Sequence, residues 1–118
     1  MNLKIESTPG TQEGVTILHL TGPFTLQSVF EFQSIVRSLT DPVIIVDLTD
    51  VPFMDSAGLG AIMFLHTTVQ KNQRRYALVG ASKRLHSLFQ IVGVDQILVH
   101  HANVAEAEAN LGGAAPAA

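Results

Sequence analysis

The segment Asp55-Ser56-Ala57-Gly58-Leu59-Gly60 brings a carboxylate, a hydroxyl and two glycines close together. An apolar run from Val43 to Leu48 precedes it, and an apolar helical pattern from Leu59 to Val69 follows it. The segment is therefore predicted to join a strand to the first turn of a helix. Aspartate and serine both favour the N-cap, where a side-chain oxygen accepts from unpaired backbone N–H groups. A hydroxyl beside the positive end of a helix dipole is also well placed to hold a phosphate.

The two glycines are unusual at this position, because glycine weakens a helix. We expect another backbone, or another protein, to approach closely there. On this view Gly58→Leu spares folding and blocks a partner. Phe53, Met54 and Phe64 add apolar side chains around the same helix start, either as local core or as a contact patch.

Composition limits the class of protein. The chain has 118 residues, 47% of them hydrophobic and 14% charged, which suits one domain with its own core. A net charge of −3 argues against a nucleic-acid partner, and the absence of cysteine excludes disulfides and thiolate chemistry. No apolar run approaches the roughly 20 residues that span a bilayer, and the charged N-terminus is unlike a signal peptide. We expect a soluble cytoplasmic protein without membrane insertion.

The remaining patterns predict the element order β-β-α-β-α-β-α-β-α. Strands separated by helices must run parallel, whereas the first two, joined by a short turn, form an antiparallel hairpin. The expected fold is one α/β domain with a mixed four- or five-stranded sheet, an antiparallel edge and about four helices. It occupies residues 1–111, and residues 112–118 form a disordered Ala/Gly tail. Helix caps are expected at Thr25, Ser82 and Asn103, a helix stop at Gly93, and the last strand at Ile97-Leu98-Val99.

Helical stripes and strand runs predict the core. On the first helix Leu26, Val29, Phe32, Val36 and Leu39 recur on one side, and on the third Leu85, Leu88, Phe89 and Val92 do so. The predicted core residues are Leu18, Leu20, Val29, Phe32, Val36, Ile44, Val46, Ile62, Leu78, Leu88 and Phe89.

Other reactive side chains do not suggest a catalytic, cofactor or metal site. Asp47 could bind a metal, but an aspartate closing a buried strand more often accepts from the next turn, and we favour that role. His100 and His101 are adjacent in a predicted strand, so they point to opposite faces and cannot bind one ion together. His66 and His86 lack ligand spacing. A serine hydrolase is disfavoured, because Ser56 lies outside a Gly-x-Ser-x-Gly motif and no histidine base is evident.

The run from Val46 to Ile62 resembles the signature of the STAS domain, and more narrowly that of bacterial anti-sigma factor antagonists. The resemblance covers almost the whole chain, including Gly22 before the first helix, Leu78-Val79-Gly80 and the Leu88 to Gly93 stretch. Many family members carry an aspartate at the start of the first helix, where this chain has Thr25.

This resemblance implies a switchable binding protein rather than an enzyme. In the family the unmodified antagonist binds an anti-sigma factor serine/threonine kinase and frees the sigma factor. The kinase phosphorylates the serine that corresponds to Ser56, and a PP2C-type phosphatase restores it. A monomer or weak homodimer is expected. The alternative is a structural STAS subunit of a signalling assembly or lipid-transport complex, without phosphorylation. The implied partner-binding residues are Thr25, Phe53, Met54, Asp55, Ser56, Ala57, Gly58, Leu59 and Gly60.

Overall fold

A hairpin of two strands is followed by alternating helices and strands along residues 3–111, the part of the chain that the computed structural model describes. The element order is the one that the sequence predicts. The tail predicted at 112–118 lies outside the described residues. The elements are β1 (Lys4–Pro9), β2 (Val15–Thr21), α1 (Leu26–Ser38), β3 (Val43–Asp50), α2 (Ser56–Lys71), β4 (Arg75–Val79), α3 (Lys83–Val92), β5 (His100–His101) and α4 (Val104–Leu111).

The strands form a single mixed sheet in the order β1-β2-β3-β4-β5. The β1–β2 hairpin is antiparallel, and the other three pairings are parallel, with Val43 opposite Arg75 and Asp47 opposite Val79. The predicted mixed sheet with an antiparallel edge is therefore confirmed. Because β2, β3 and β4 are parallel, their carboxyl ends meet at one edge of the sheet, and α1, α2 and α3 all begin there.

The β3 strand is buried on both faces, as its continuous β-branched run predicts. Ile44 and Val46 belong to the main core with residues of α1, α2 and α3. Val43 and Ile45 face the other way and pack with Ala107 and Leu111 of α4. The sheet thus has three helices on one face and α4 on the other. Within the described residues, none of the helices is long and apolar enough to cross a membrane.

Most of the predicted core is buried, with two corrections in the helical stripes. Leu26 is 64% exposed, so the stripe of α1 begins at Val29. Leu88 is only half-buried and Val92 is exposed, so α3 packs through Leu85 and Phe89. A helical stripe predicts the side that faces the core, but residues at its ends and flanks can extend past the neighbouring elements.

The predicted last strand, Ile97-Leu98-Val99, is wrong. Leu98 lies in a bend just after a turn and is buried in the main core, so its apolar character reflects burial rather than strand pairing. The strand follows at His100–His101, opposite Leu78 and Val79.

Local chain signals predict most of the helix ends correctly. The Ser82 hydroxyl accepts from the backbone N–H of Leu85 at 3.2 Å, and the Asn103 side chain accepts from that of Glu106 at 2.8 Å. Gly93 ends α3 in the left-handed region, with φ of 85°, which glycine adopts without strain.

Glu108 of α4 is a buried carboxylate that the sequence does not single out. It accepts three hydrogen bonds from the β1–β2 turn: from the Thr11 hydroxyl at 2.6 Å, the Thr11 N–H at 3.1 Å and the Gln12 N–H at 3.2 Å. The Thr11 hydroxyl and the two N–H groups stabilise the ionised form, so the pKa of Glu108 lies below its usual 4.5, although burial acts in the opposite direction. This carboxylate attaches α4 to the hairpin.

We expect acid to weaken this attachment. Because the pKa of Glu108 is lower in the folded than in the unfolded chain, its stabilising effect is complete above pH 4.5 and is lost as the pH falls through the lowered value. Urea unfolding at neutral pH and at steps below 4.5 measures the effect, with Glu108→Gln as the control. The variant should be less stable at neutral pH, and its stability should fall less in acid. Equal acid sensitivity in both proteins would contradict this role.

Candidate functional site

Two loops lie side by side at the carboxyl edge of the sheet. One joins β2 to α1 and the other joins β3 to α2, and Phe24 pairs with Met54 between them in a parallel bridge. The Phe24 N–H donates to the Phe53 carbonyl at 3.0 Å, and the Asp55 N–H donates to the Phe24 carbonyl at 3.2 Å. This pairing brings the start of α1 next to the start of α2, and therefore Thr25 next to the Asp55–Ser56 segment.

Asp55 caps both helices with one carboxylate. Its Oδ1 accepts from the backbone N–H of Gly58 in α2 at 2.8 Å, and its Oδ2 accepts from that of Leu26 in α1 at 3.3 Å. The first bond makes Asp55 the N-cap of α2, one of the two cap candidates that the sequence offers. The second joins residues 29 positions apart and has no local signal in the sequence. Both carboxylate oxygens are thus occupied, and each fixes the direction of one helix.

The predicted Thr25 side-chain cap is wrong. Thr25 does occupy the N-cap position of α1, but its side chain makes no capping bond. The Ser28 N–H, which a capping hydroxyl would take, already donates to the Thr25 main-chain carbonyl at 3.0 Å. The first N–H of α1 donates to Asp55 instead. The Thr25 side chain is therefore not needed for the start of the helix.

Ser56 is the first residue of α2, and its side chain is exposed. Since Asp55 is the cap, Ser56 is not, and its hydroxyl makes no hydrogen bond to any residue among 3–111. The backbone N–H groups of Ser56 and Ala57 also lack an acceptor in the described chain. The arrangement offers an unengaged hydroxyl beside two free donors at the positive end of a 16-residue helix.

The two glycines have different roles, and this corrects the expectation for Gly58. A Cβ at Gly58 would overlap the carbonyl oxygen of Phe24 and lie 3.0 Å from its carbonyl carbon. The close approach is therefore to the chain's own backbone, and Gly58→Leu will not spare the fold. Gly60 is exposed, with nothing within 4 Å of its added Cβ.

Some of the predicted partner-binding residues are buried, so a partner can reach only part of the predicted site. Met54, Gly58 and Leu59 are buried, and Phe64 is half-buried with the Arg37 guanidinium 5.1 Å from its ring centroid. Phe53 is 41% exposed, so of the apolar side chains expected around the helix start it alone is largely surface. The accessible part of the predicted site comprises Thr25, Phe53, Asp55, Ser56, Ala57 and Gly60.

Asp47 has the structural role favoured from the sequence. Its Oδ1 accepts from the Thr49 N–H at 3.0 Å and from the Thr49 hydroxyl at 2.6 Å. Its Oδ2 lies 3.3 Å from Nδ1 of His19, whose Nε2 is 3.0 Å from the hydroxyl of Thr8. This chain of contacts links β1, β2 and β3.

The histidines are dispersed. Nδ1 of His66 lies 2.8 Å from the hydroxyl of Tyr76. The Tyr76 hydroxyl accepts a hydrogen bond from the Val99 N–H, and burial raises the pKa of Tyr76. The rings of His86 and His100 meet edge to face, and His101 lies 3.3 Å from Glu106. Within residues 3–111 no three His, Cys, Asp or Glu side chains are grouped to bind a metal ion.

Comparison of the chain with known proteins identifies its family. The family model described as "STAS domain" matches residues 7–107. The chain belongs to the STAS family. The anti-sigma-B factor antagonist of Listeria monocytogenes is 33% identical over 75 residues, which are 64% of this chain and 66% of the relative. This STAS domain thus spans just under two thirds of that relative's length. The anti-sigma-B factor antagonist of Staphylococcus aureus is 29% identical over 101 residues, covering 83% of this chain and 92% of the relative.

Solved structures share the STAS fold. An anti-sigma factor antagonist from Mycobacterium paratuberculosis matches with a TM-score of 0.80 at 15% identity, over 94% of this chain and 95% of the other. The Bacillus protein SpoIIAA matches in its unphosphorylated form (TM-score 0.73, 18% identity, 92% and 97% coverage) and its phosphorylated form (0.65, 18%, 91% and 97%). The murine anion transporter Slc26a9 matches with 0.74 at 18% identity, over 94% of this chain but 22% of the transporter. At such identities the likeness shows the fold alone.

Proposed function

We propose that this STAS domain is a cytoplasmic anti-sigma factor antagonist and not an enzyme. In its unmodified form it binds an anti-sigma serine kinase, which then releases its sigma factor. Phosphorylation of Ser56 by that kinase ends the binding, and a PP2C-type phosphatase restores it. The names of the two curated relatives support the antagonist role. The structures of SpoIIAA show that a member of this fold exists with and without phosphate.

The observation that carries the proposal is the exposed Ser56 hydroxyl at the start of α2, which makes no hydrogen bond within residues 3–111. A kinase can reach it without disturbing an internal hydrogen bond. The attached phosphate would lie beside the free N–H groups of Ser56 and Ala57, in the favourable field of the helix N-terminus. The nearby Asp55 carboxylate opposes the phosphate charge, but its two oxygens already accept from Gly58 and Leu26.

The domain and the partner interface respond differently to the new group. Phosphorylation adds about −1.5 to −2 charges and a strongly hydrated group. In the free domain the phosphate remains in water and the fold keeps its contacts. In the complex the phosphate must lose water or hold the partner away, and removing a charge from water is costly. Binding should therefore fall while stability stays level.

Substituting Ser56 tests the switch. Ser56→Asp is expected to bind the purified anti-sigma serine kinase of the source organism at least about tenfold more weakly than the wild type, because it places a charge in the interface. Its melting temperature should stay close to that of the wild type, since the hydroxyl makes no hydrogen bond in the described part of the chain. Calorimetric titration and thermal melts measure the two quantities.

Ser56→Ala is the matched control. It should bind like the wild type and acquire no phosphate during incubation with the kinase and ATP. If Ser56→Asp binds as tightly as the wild type and mass spectrometry finds no phosphate on Ser56 of the wild type, the switch is wrong.

Thr25 favours a second candidate. The aspartate that many family members carry at the start of the first helix is absent, and Thr25 stands in its place. A structural STAS subunit would need the same exposed surface but no phosphate chemistry. The Slc26a9 match shows that the fold also occurs as 22% of a larger protein. Binding of a partner with no phosphorylation of Ser56 would favour this function.

A further inference from the structure

We propose that the groove between Phe53 and α3 is a second part of the partner surface, and that it takes an apolar side chain of the anti-sigma kinase flanked by a carboxylate that pairs with Arg84. This inference rests on the proposed function. It extends the site around Ser56 to α3 and specifies the chemistry of the kinase segment that binds there.

The groove has the size and lining of an apolar binding site. Its volume is about 350 Å³, and its walls are formed by Phe53, Leu88 and Ile91. Met54 and Leu85 also line it, and both are buried in the main core. Ile91 is 83% exposed, on a helix that packs into the core through Leu85 and Phe89. An occupant of the groove would remove this apolar surface from water.

The groove is continuous with the predicted phosphorylation site. Phe53 forms one wall and lies three residues before Ser56, in the loop that leads into α2. The other wall is α3, which begins at the same edge of the sheet as α2. A protein that covers Ser56 can therefore reach the groove without crossing the domain.

The charge around the groove specifies the occupant. The Arg84 guanidinium lies 5.9 Å from the centroid of the Phe53 ring. This cation–π contact places a positive charge at the edge of the groove. Among the described residues neither Lys83 nor Arg84 forms an ion pair. The chain as a whole is acidic, with ten acidic and seven basic residues. Two adjacent unpaired cations on such a chain are complementary to a carboxylate next to an apolar anchor.

The opposite flank of Ser56 lacks this combination. Leu26 and Phe30 of α1 are 64% and 76% exposed and lie one helical turn apart. The first eleven residues of α1, 26–36, contain no lysine or arginine. This flank offers apolar area without a basic partner, so it serves as the control surface.

Three single substitutions test the proposal against the purified anti-sigma serine kinase of the source organism. Ile91→Ser and Arg84→Glu are each expected to weaken binding about tenfold in calorimetric titration, the first by losing the apolar anchor and the second by placing like charges together. Phe30→Ser, a matched loss of exposed apolar surface, should stay within about twofold of the wild type. All three side chains are exposed, so thermal melts should stay close to that of the wild type.

The outcomes separate this inference from the function on which it rests. If Ser56→Asp weakens binding and Ile91→Ser and Arg84→Glu do not, the groove is not used and the switch stands. If Phe30→Ser weakens binding and the two groove variants do not, the partner covers α1 and the inference is wrong. If the kinase does not bind the wild-type protein, the proposed function and this inference both fail.

Discussion

Gly58→Leu is expected to lower the free energy of unfolding by about 3 kcal/mol or more. The added Cβ would overlap the carbonyl oxygen of Phe24, and that carbonyl is held in place by the Asp55 N–H. Phe24 itself is fully buried, with its ring 5.1 Å from that of Phe32. The two loops at the sheet edge would therefore have to separate before the side chain could be accommodated. Urea unfolding monitored by circular dichroism measures the loss.

Gly60→Leu is the matched control, two residues further along the same helix. An added Cβ there meets nothing within 4 Å, and glycine inside a helix costs about 0.5–1 kcal/mol relative to alanine. Gly60→Leu should therefore unfold at the same or a higher urea concentration than the wild type. Equal stability of the two variants would show that the Phe24 carbonyl can move, and that Gly58 is not required by the fold.

Asp55→Ala is expected to lower the free energy of unfolding by about 2 kcal/mol, because one helix cap is worth about 1 kcal/mol and this carboxylate caps two helices. Asp55→Asn keeps one acceptor oxygen and replaces the other by a donor, so it should lose about half as much. The 3.3 Å bond to Leu26 is longer and therefore weaker than the 2.8 Å bond to Gly58. We therefore expect the side-chain oxygen that remains in Asp55→Asn to keep the bond to Gly58.

Thr25→Ala provides the control for the double cap. Thr25 occupies the N-cap position of α1 without a side-chain bond, so its truncation should change stability by no more than about 0.5 kcal/mol. Urea unfolding of all three variants gives the comparison. A larger loss for Thr25→Ala than for Asp55→Ala would contradict the assignment of the α1 cap to Asp55.

The sequence predicts the features that depend on neighbours along the chain. Strand runs, helical stripes and the cap residues Ser82 and Asn103 are local signals, and the order of elements follows from them. The parallel sheet follows because helices separate the strands. Within the candidate site, the cap on α2 is equally local: the sequence offers Asp55 and Ser56 as candidates, and the structure uses Asp55.

Features that join distant segments could not be predicted in the same way. The Asp55–Leu26 bond spans 29 residues, and the Glu108–Thr11 bond spans 97. The clash that requires glycine at position 58 depends on the backbone of Phe24, which no pattern around Gly58 reveals. Leu98 is wrongly predicted to lie in a strand, because a buried apolar residue in an irregular segment has the same local sequence signal as one in a strand.

The assignment of the cap to Asp55 rather than to Ser56 has an evolutionary consequence. Position 55 joins the two helices through its carboxylate, whereas the hydroxyl at position 56 makes no hydrogen bond within residues 3–111. Selection on folding acts on the first, and selection on recognition can act on the second alone. A threonine or alanine at position 56 should therefore leave the scaffold intact. Under the function proposed above, divergence between switchable and permanently active descendants would need a change only at a residue whose side chain the fold does not hold.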